Sequence, residues 1–198
     1  MHWINLALVD MDKVVATGHS RGGKTALCAG LYDDRIAITA PNSSGTGSLR
    51  YFEESQKPQK IGHHIGRNEH WFGPQYFQFA GKEDRLPFDA HFAKAAIAPR
   101  AFVNCHARQD YWANPYGTEL THRAAAVVFE WLGVQNRIGL HWRDGKHAQG
   151  QEDWAALLDF TDHYFYGKKT DRKFATWAYP NAALPFNWKA PTTAVLKE

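Results

Sequence analysis

The sequence predicts an α/β fold, a mostly parallel sheet with helices on both of its faces. Short β-branched or apolar runs alternate with stretches of helical length and spacing, and strands that alternate with helices in this way pair in parallel. The chain has 198 residues, enough for one domain with a substantial apolar core, and no repeat or low-complexity segment interrupts it.

Lys13 to Thr17 is the first strand, a β-branched run ending at Gly18. A helix rich in Ala and Leu follows from about Gly22 to Leu31. Ile36 to Ala40 reads as a buried strand that stops at Pro41, and the polar, glycine-bearing stretch 41–48 reads as a loop. Residues 49–87 are irregular, with aromatics at Trp71, Phe72, Tyr76, Phe77 and Phe79 that are expected to pack as core. Phe88 to Ala98 has helical spacing and ends before Pro99. Ala101 to Cys105 is a third strand, and Thr118 to Leu132 a long helix closed by Gly133. Ile138 to Trp142 is the fourth strand, and Glu152 to Tyr164 an amphipathic helix. Residues 1–166 thus form the folded domain, and 167–198 a tail that packs on it or extends from it.

Composition narrows the function classes. The net charge is +3, with Lys and Arg scattered among acids, so a nucleic-acid footprint is absent. No stretch is long and apolar enough to span a membrane, and Met1 to Asn5 lack the basic and apolar regions of a signal peptide. Cys28 and Cys105 are too few for a disulfide framework or a zinc knuckle; both lie in apolar runs and read as buried free thiols. Eight Trp, within a 14% aromatic content, suit either a large aromatic core or a sugar-stacking cleft.

One segment carries chemistry. Gly18-His19-Ser20-Arg21-Gly22 fits G-x-S-x-G, in which a serine sits on a sharp turn between strand and helix, flanked by small residues because the backbone crowds there. The same stretch, extended to Gly23-Lys24-Thr25, also fits the phosphate-cradling G-x-x-x-x-G-K-[ST]. A P-loop enzyme wants another strand ending in a magnesium-binding Asp, and no strand here runs directly into a carboxylate. An esterase wants Ser, then an acid, then His. Asp110 and His147 follow successive strands in that order. The preferred reading is therefore an α/β-hydrolase three-layer sandwich with Ser20 as nucleophile, His147 as general base, Asp110 as its orienting acid and the Arg21 backbone N–H as oxyanion donor. Doubly wound hydrolases place several strands before the elbow, whereas this chain opens a few residues ahead of it, so the C-terminal half only is expected. His63, His64, His70 and His91 lack carboxylate or thiol spacing for a metal, and no cofactor is implied.

The elbow and further motifs resemble bacterial glucuronoyl esterases (carbohydrate esterase family fifteen). The likeness runs from Val14 to about Tyr164 through Asn42-Ser43-Ser44-Gly45, His70-Trp71-Phe72, Leu86-Pro87-Phe88-Asp89-Ala90-His91, Ile97-Ala98-Pro99-Arg100, Asp110-Tyr111-Trp112-Ala113-Asn114-Pro115, Gly145-Lys146-His147 and Asp153-Trp154. The resemblance implies hydrolysis of esters between 4-O-methyl-glucuronic acid on glucuronoxylan and lignin alcohols, outside the cell or in the periplasm. It implies that the Arg21 side chain also reaches the oxyanion, that Lys24 bonds sugar hydroxyls, and that Trp112 lines the sugar pocket. From the residues alone, Lys24 reads equally as a helix-surface charge and Trp112 equally as core. Many members carry their acid as Glu where this chain has Ser43, which leaves Asp110 for that role. A glutamate that contacts the uronic acid falls near Gln59 here. Other carbohydrate esters, of the acetylxylan type, and carbohydrate binding without turnover are the alternative expectations.

Overall fold

The structure is a computed structural model, and it describes residues 9–44, 60–184 and 189–192. Four strands, β1 (Val15–His19), β2 (Ile38–Asn42), β3 (Ala101–Ala107) and β4 (Ile138–Arg143), form one sheet in the order β1-β2-β3-β4, parallel throughout. The helices are α1 (Arg21–Tyr32), α2 (Ala90–Ala95), α3 (Pro115–Trp131) and α4 (Gln151–Tyr166).

Alternation along the buried strands separates two cores. Phe102 and Ile138 pack with Leu27 of α1, Ile97, and Ala125 and Phe129 of α3 on one face. Ile38, Ala40, Ala101 and Val103 meet Leu157 and Phe160 of α4 on the other. Two helical layers with a sheet between them make the three-layer sandwich of an α/β hydrolase. No helix among the described residues is long and apolar enough to cross a membrane.

Element boundaries differ from the sequence expectations where side chains outvote propensity. Lys13 lies in a turn capped by the Asp10 carboxylate, so β1 starts at Val15 and extends to His19. β2 does not stop at Pro41 but runs through it to Asn42, and its pairing with β3 skips Ala40 and Pro41, where the missing N–H would fall. The helix expected over 88–98 shortens to α2, which begins where Asp89 accepts the Ala90 N–H at 2.6 Å. Conversely α3 starts three residues early: Asn114, with φ of 58°, caps it by accepting the Gly117 N–H, and Pro115 suits the first helical position.

Arg100 closes α1 from outside, its guanidinium donating to the Gly30, Asp33 and Ile36 carbonyls at 2.7, 3.2 and 2.9 Å. Of the two cysteines, Cys105 is buried as expected, and burial pushes its thiol up to about 12. Cys28 is exposed on the outer side of α1, because its apolar neighbours Ala26 and Leu27 take the core-facing positions. The aromatics of 71–79 lie outside both cores. They form a half-buried layer of short 3₁₀ turns in which Phe72 stacks on Tyr76 with ring centroids 4.5 Å apart.

Residues 168–184 return to the sheet. Ala175 bridges Leu140 of β4, Leu140 donates its N–H to the Phe174 carbonyl at 2.7 Å, and the Phe174 ring packs on Phe160. The buried Glu119 carboxylate of α3 accepts the Ala178 and Tyr179 N–H groups at 2.6 and 3.1 Å.

Candidate active site

Parallel strands point their carboxyl ends the same way, so the loops after β1, β2, β3 and β4 converge on one rim. Ser20 lies between β1 and α1 with φ of 56° and ψ of −119°, a conformation strained for a side-chain-bearing residue. The surroundings hold it there: Ser20 N–H donates to the Asn42 carbonyl at 2.9 Å, and its own carbonyl accepts the Gly23 N–H at 3.0 Å.

The glycines that make this turn possible are Gly18 and Gly23. A Cβ at Gly18 would run into the Gly22 carbonyl, and one at Gly23 would meet the Ser44 Cβ at 2.6 Å. Gly22, the second glycine of the motif, faces open space. The crowding expected from the motif is present at its first glycine, Gly18, while the second crowded position falls one residue past the motif, at Gly23.

His147 Nε2 is 2.9 Å from Ser20 Oγ, and its Nδ1 is 2.8 Å from Asp110 Oδ2. With Nδ1–H donating to the carboxylate, Nε2 accepts from the serine hydroxyl, the geometry a general base requires. Asp110 is 3% exposed and His147 half exposed, so the acid is dry and the base opens to the pocket. The Asp110 loop is gripped by His106, whose Nδ1 and Nε2 face the Ala107 and Ala113 carbonyls at 3.0 and 3.3 Å. Burial holds His106 below the usual histidine range.

Ser20 and His147 open into a pocket of about 130 Å³ lined also by Lys24, Ser43, Ser44, Asn68, Trp71 and Trp112. Lys24 donates to the Ser44 carbonyl, and desolvation lowers it to about 8 despite the favourable charge of Asp110. A strained Ser20 with Lys24 turned to Ser44 is an elbow, not a phosphate cradle. Trp112 is nearly half exposed, with His63 at 5.0 Å on one side. Of the two readings open for it, the structure takes the pocket wall.

Arg21, at the first position of α1, has no carbonyl four residues back for its N–H inside the helix. Its guanidinium lies over the Trp71 ring at 5.2 Å and lines the neighbouring groove. Gln59 lies outside the described residues. Among the described residues no group of three or more His, Cys, Asp or Glu stands close enough to hold a metal. His64 instead packs on Trp71 and Phe72, and burial lowers it to about 4.

Asn68 and Trp71 were not legible as pocket residues. They sit in the irregular stretch, where no period relates sequence position to direction.

Comparison with known proteins gives the family. The family described as "Glucuronyl esterase, fungi" matches residues 3–133. "Carbohydrate esterase MZ0003", from an unknown prokaryotic organism, is 36% identical over 178 residues, covering 80% of this chain and 40% of that protein. The 4-O-methyl-glucuronoyl methylesterase of Schizophyllum commune is 31% identical over 201 residues, covering 90% of this chain and 49% of the relative. Among solved structures, a carbohydrate esterase family 15 glucuronoyl esterase from Caldicellulosiruptor kristjansonii superposes with a TM-score of 0.85 at 34% identity, over 92% of this chain and 51% of that one. A variant of the Sporotrichum thermophile glucuronoyl esterase, solved with methyl 4-O-methyl-β-D-glucopyranuronate, gives a TM-score of 0.71 at 25% identity over 81% of this chain and 46% of that one. The chain spans about half the length of the relatives it matches. With an elbow serine, a histidine and a buried acid in one relay, and with that profile running through two thirds of its length, the chain belongs to the glucuronyl esterase family.

Proposed function

We propose that the chain is a serine esterase that hydrolyses 4-O-methyl-glucuronoyl esters joining glucuronoxylan to lignin alcohols. The observation that carries this reading is the Ser20–His147–Asp110 relay at the mouth of a pocket lined by Lys24, Asn68 and Trp112.

Ser20 Oγ attacks the ester carbonyl while His147 Nε2 takes its proton, and Asp110 steadies the imidazolium that forms. The Arg21 N–H donates to the oxyanion, at the positive end of α1. His147 then protonates the departing alcohol, leaving a glucuronoyl ester on Ser20. Water, deprotonated by His147, cleaves that ester and restores the serine. Lys24 and Asn68 hydrogen-bond sugar hydroxyls, and Trp112 offers a flat apolar face to the ring. Gln59 is assigned to the uronic acid as well. The Arg21 guanidinium supports the oxyanion once it leaves the Trp71 face. A polymer substrate of this kind does not cross a cell membrane, so the work of this chain is assigned to the outside of the cell or the periplasm.

Benzyl glucuronate hydrolysis by the purified chain, beside Ser20→Ala, tests the proposal. Turnover in the parent and none in the folded variant is the expected result. Equal rates in both would overturn it, and turnover of acetylated xylan in place of the glucuronate ester would move the substrate to the acetylxylan type.

A further inference from the structure

His147 stands in a loop between β4 and α4 that has no regular hydrogen bonding of its own, so something else must set its position. Arg143, the last residue of β4 and 8% exposed, points its guanidinium into the middle of that loop. Nη1 donates to the Asp144 carbonyl at 3.1 Å, and Nη2 donates to the Lys146 carbonyl at 3.0 Å and to the Ala148 carbonyl. These acceptors flank His147 on both sides. With every second carbonyl turned inward, the side chain of residue 147 is directed outward, toward Ser20.

The guanidinium is itself anchored. Its Nε donates at 2.7 Å to Asp153 Oδ2, on the first turn of α4 and 1% exposed. Asp153 also accepts the Gly150 N–H and Asn42 Nδ2, each at 2.8 Å. Since Asn42 uses its amide nitrogen there, its Oδ1 accepts from His19 Nδ1 at 2.7 Å, and the His19 ring lies 4.8 Å from that of His147. A second tie joins the base loop to the acid loop: Gln109 Oε1 accepts the Gly145 N–H at 2.5 Å, and the Gln109 N–H donates to the Gly145 carbonyl. A planar fork with five donors suits this work, and an ammonium does not, because only the fork reaches a carboxylate and three divergent carbonyls at once.

We propose that Arg143, locked by Asp153, is the positioning residue for the base: it holds the 144–148 backbone so that His147 meets Ser20 and Asp110 together. The inference rests on the serine-esterase reading of this site, but not on the identity of the ester.

The test compares the full chain with Arg143→Lys and Asp153→Asn, assayed well below their melting temperatures. A displacement of about 1 Å in a reacting group lowers turnover about 100-fold. Arg143→Lys is expected to lose kcat to that extent with KM nearly unchanged, and Asp153→Asn to lose less in the same pattern. A downfield proton resonance from His147 Nδ1–H, bonded to Asp110 in the parent, is expected to broaden or vanish in Arg143→Lys. That signal reports the relay and not the fold. A phosphonofluoridate, whose phosphorus takes Ser20 Oγ as fluoride leaves and His147 takes the proton, gives a readout independent of the sugar. Slowed labelling in the variant, with the parent inert toward glucuronate esters, would sink the substrate assignment and leave Arg143 in its role. A folded Arg143→Lys with kcat and labelling within about threefold of the parent and the downfield proton intact would overturn the proposal, that margin being far below the loss expected of a displaced base.

Discussion

At the scale of single residues, the elbow makes a prediction that its own motif does not. Gly23→Ala is expected to abolish Ser20 reactivity, because the new Cβ would overlap the Ser44 side chain. Gly22→Ala, with open space before it, is expected to leave phosphonofluoridate labelling and melting temperature near those of the parent. Equal damage from both would show that the turn is crowded otherwise than described. Lys24 carries a pH dependence. Its lowering to about 8 means that it is an ammonium at neutral pH and loses that charge as pH rises through 8. The KM for a glucuronate ester should therefore climb above about pH 8, and a pH series on Lys24→Gln should show a higher, flat KM. Ser20, Asp110 and His147 were legible because chain order and loop position survive without coordinates. Arg143 was not: it read only as the residue into which a strand runs, and three of its four acceptors are carbonyls of the following loop, which has no period from which their direction could be read.

At the scale of elements, type was easier to read than extent. Apolar runs identify β2, β3 and β4 because burial on both faces leaves few other solutions. Element ends were misjudged where a single side chain decides, as with Asp10 before β1 and Asp89 before α2. The start of α3 is the most consequential of these ends, since it terminates the loop that carries Asp110. Asn114 caps that helix from the left-handed region. Asn114→Ala removes the cap and places a less tolerant residue at positive φ, a loss of about 1–2 kcal/mol. Urea unfolding is expected to show that loss, with kcat reduced in parallel because the acid loop frays at its far end. A stability unchanged by the substitution would count against the cap.

At the scale of the whole molecule, the layers were legible and the charges inside them were not. Lys94 is fully buried beneath α3, donating to the Thr118 carbonyl at 3.1 Å and Thr121 Oγ1 at 2.7 Å, and burial lowers it to about 7. Its unfolded value is about 10.4, so between the two the unfolded chain holds a proton that the folded chain lacks. Stability should then rise with pH from about 7, by at most about 1.4 kcal/mol per unit. Lys24 joins in the same sense from about 8. Above about pH 8.5 the raised Cys105 thiol acts in the opposite sense. Urea titrations between neutrality and that point should show the rise in the parent and a flatter line in Lys94→Met; an identical slope would exclude Lys94 as its source. The Ala175–Leu140 bridge and the Glu119 carboxylate also have a bearing on how this protein is handled. Trimming it at Gly167, where the last helix ends, would strip the outer edge of β4, uncover Phe160 and strand a buried carboxylate without its donors. A protease that nicks the chain between 168 and 184 should therefore yield an aggregating product.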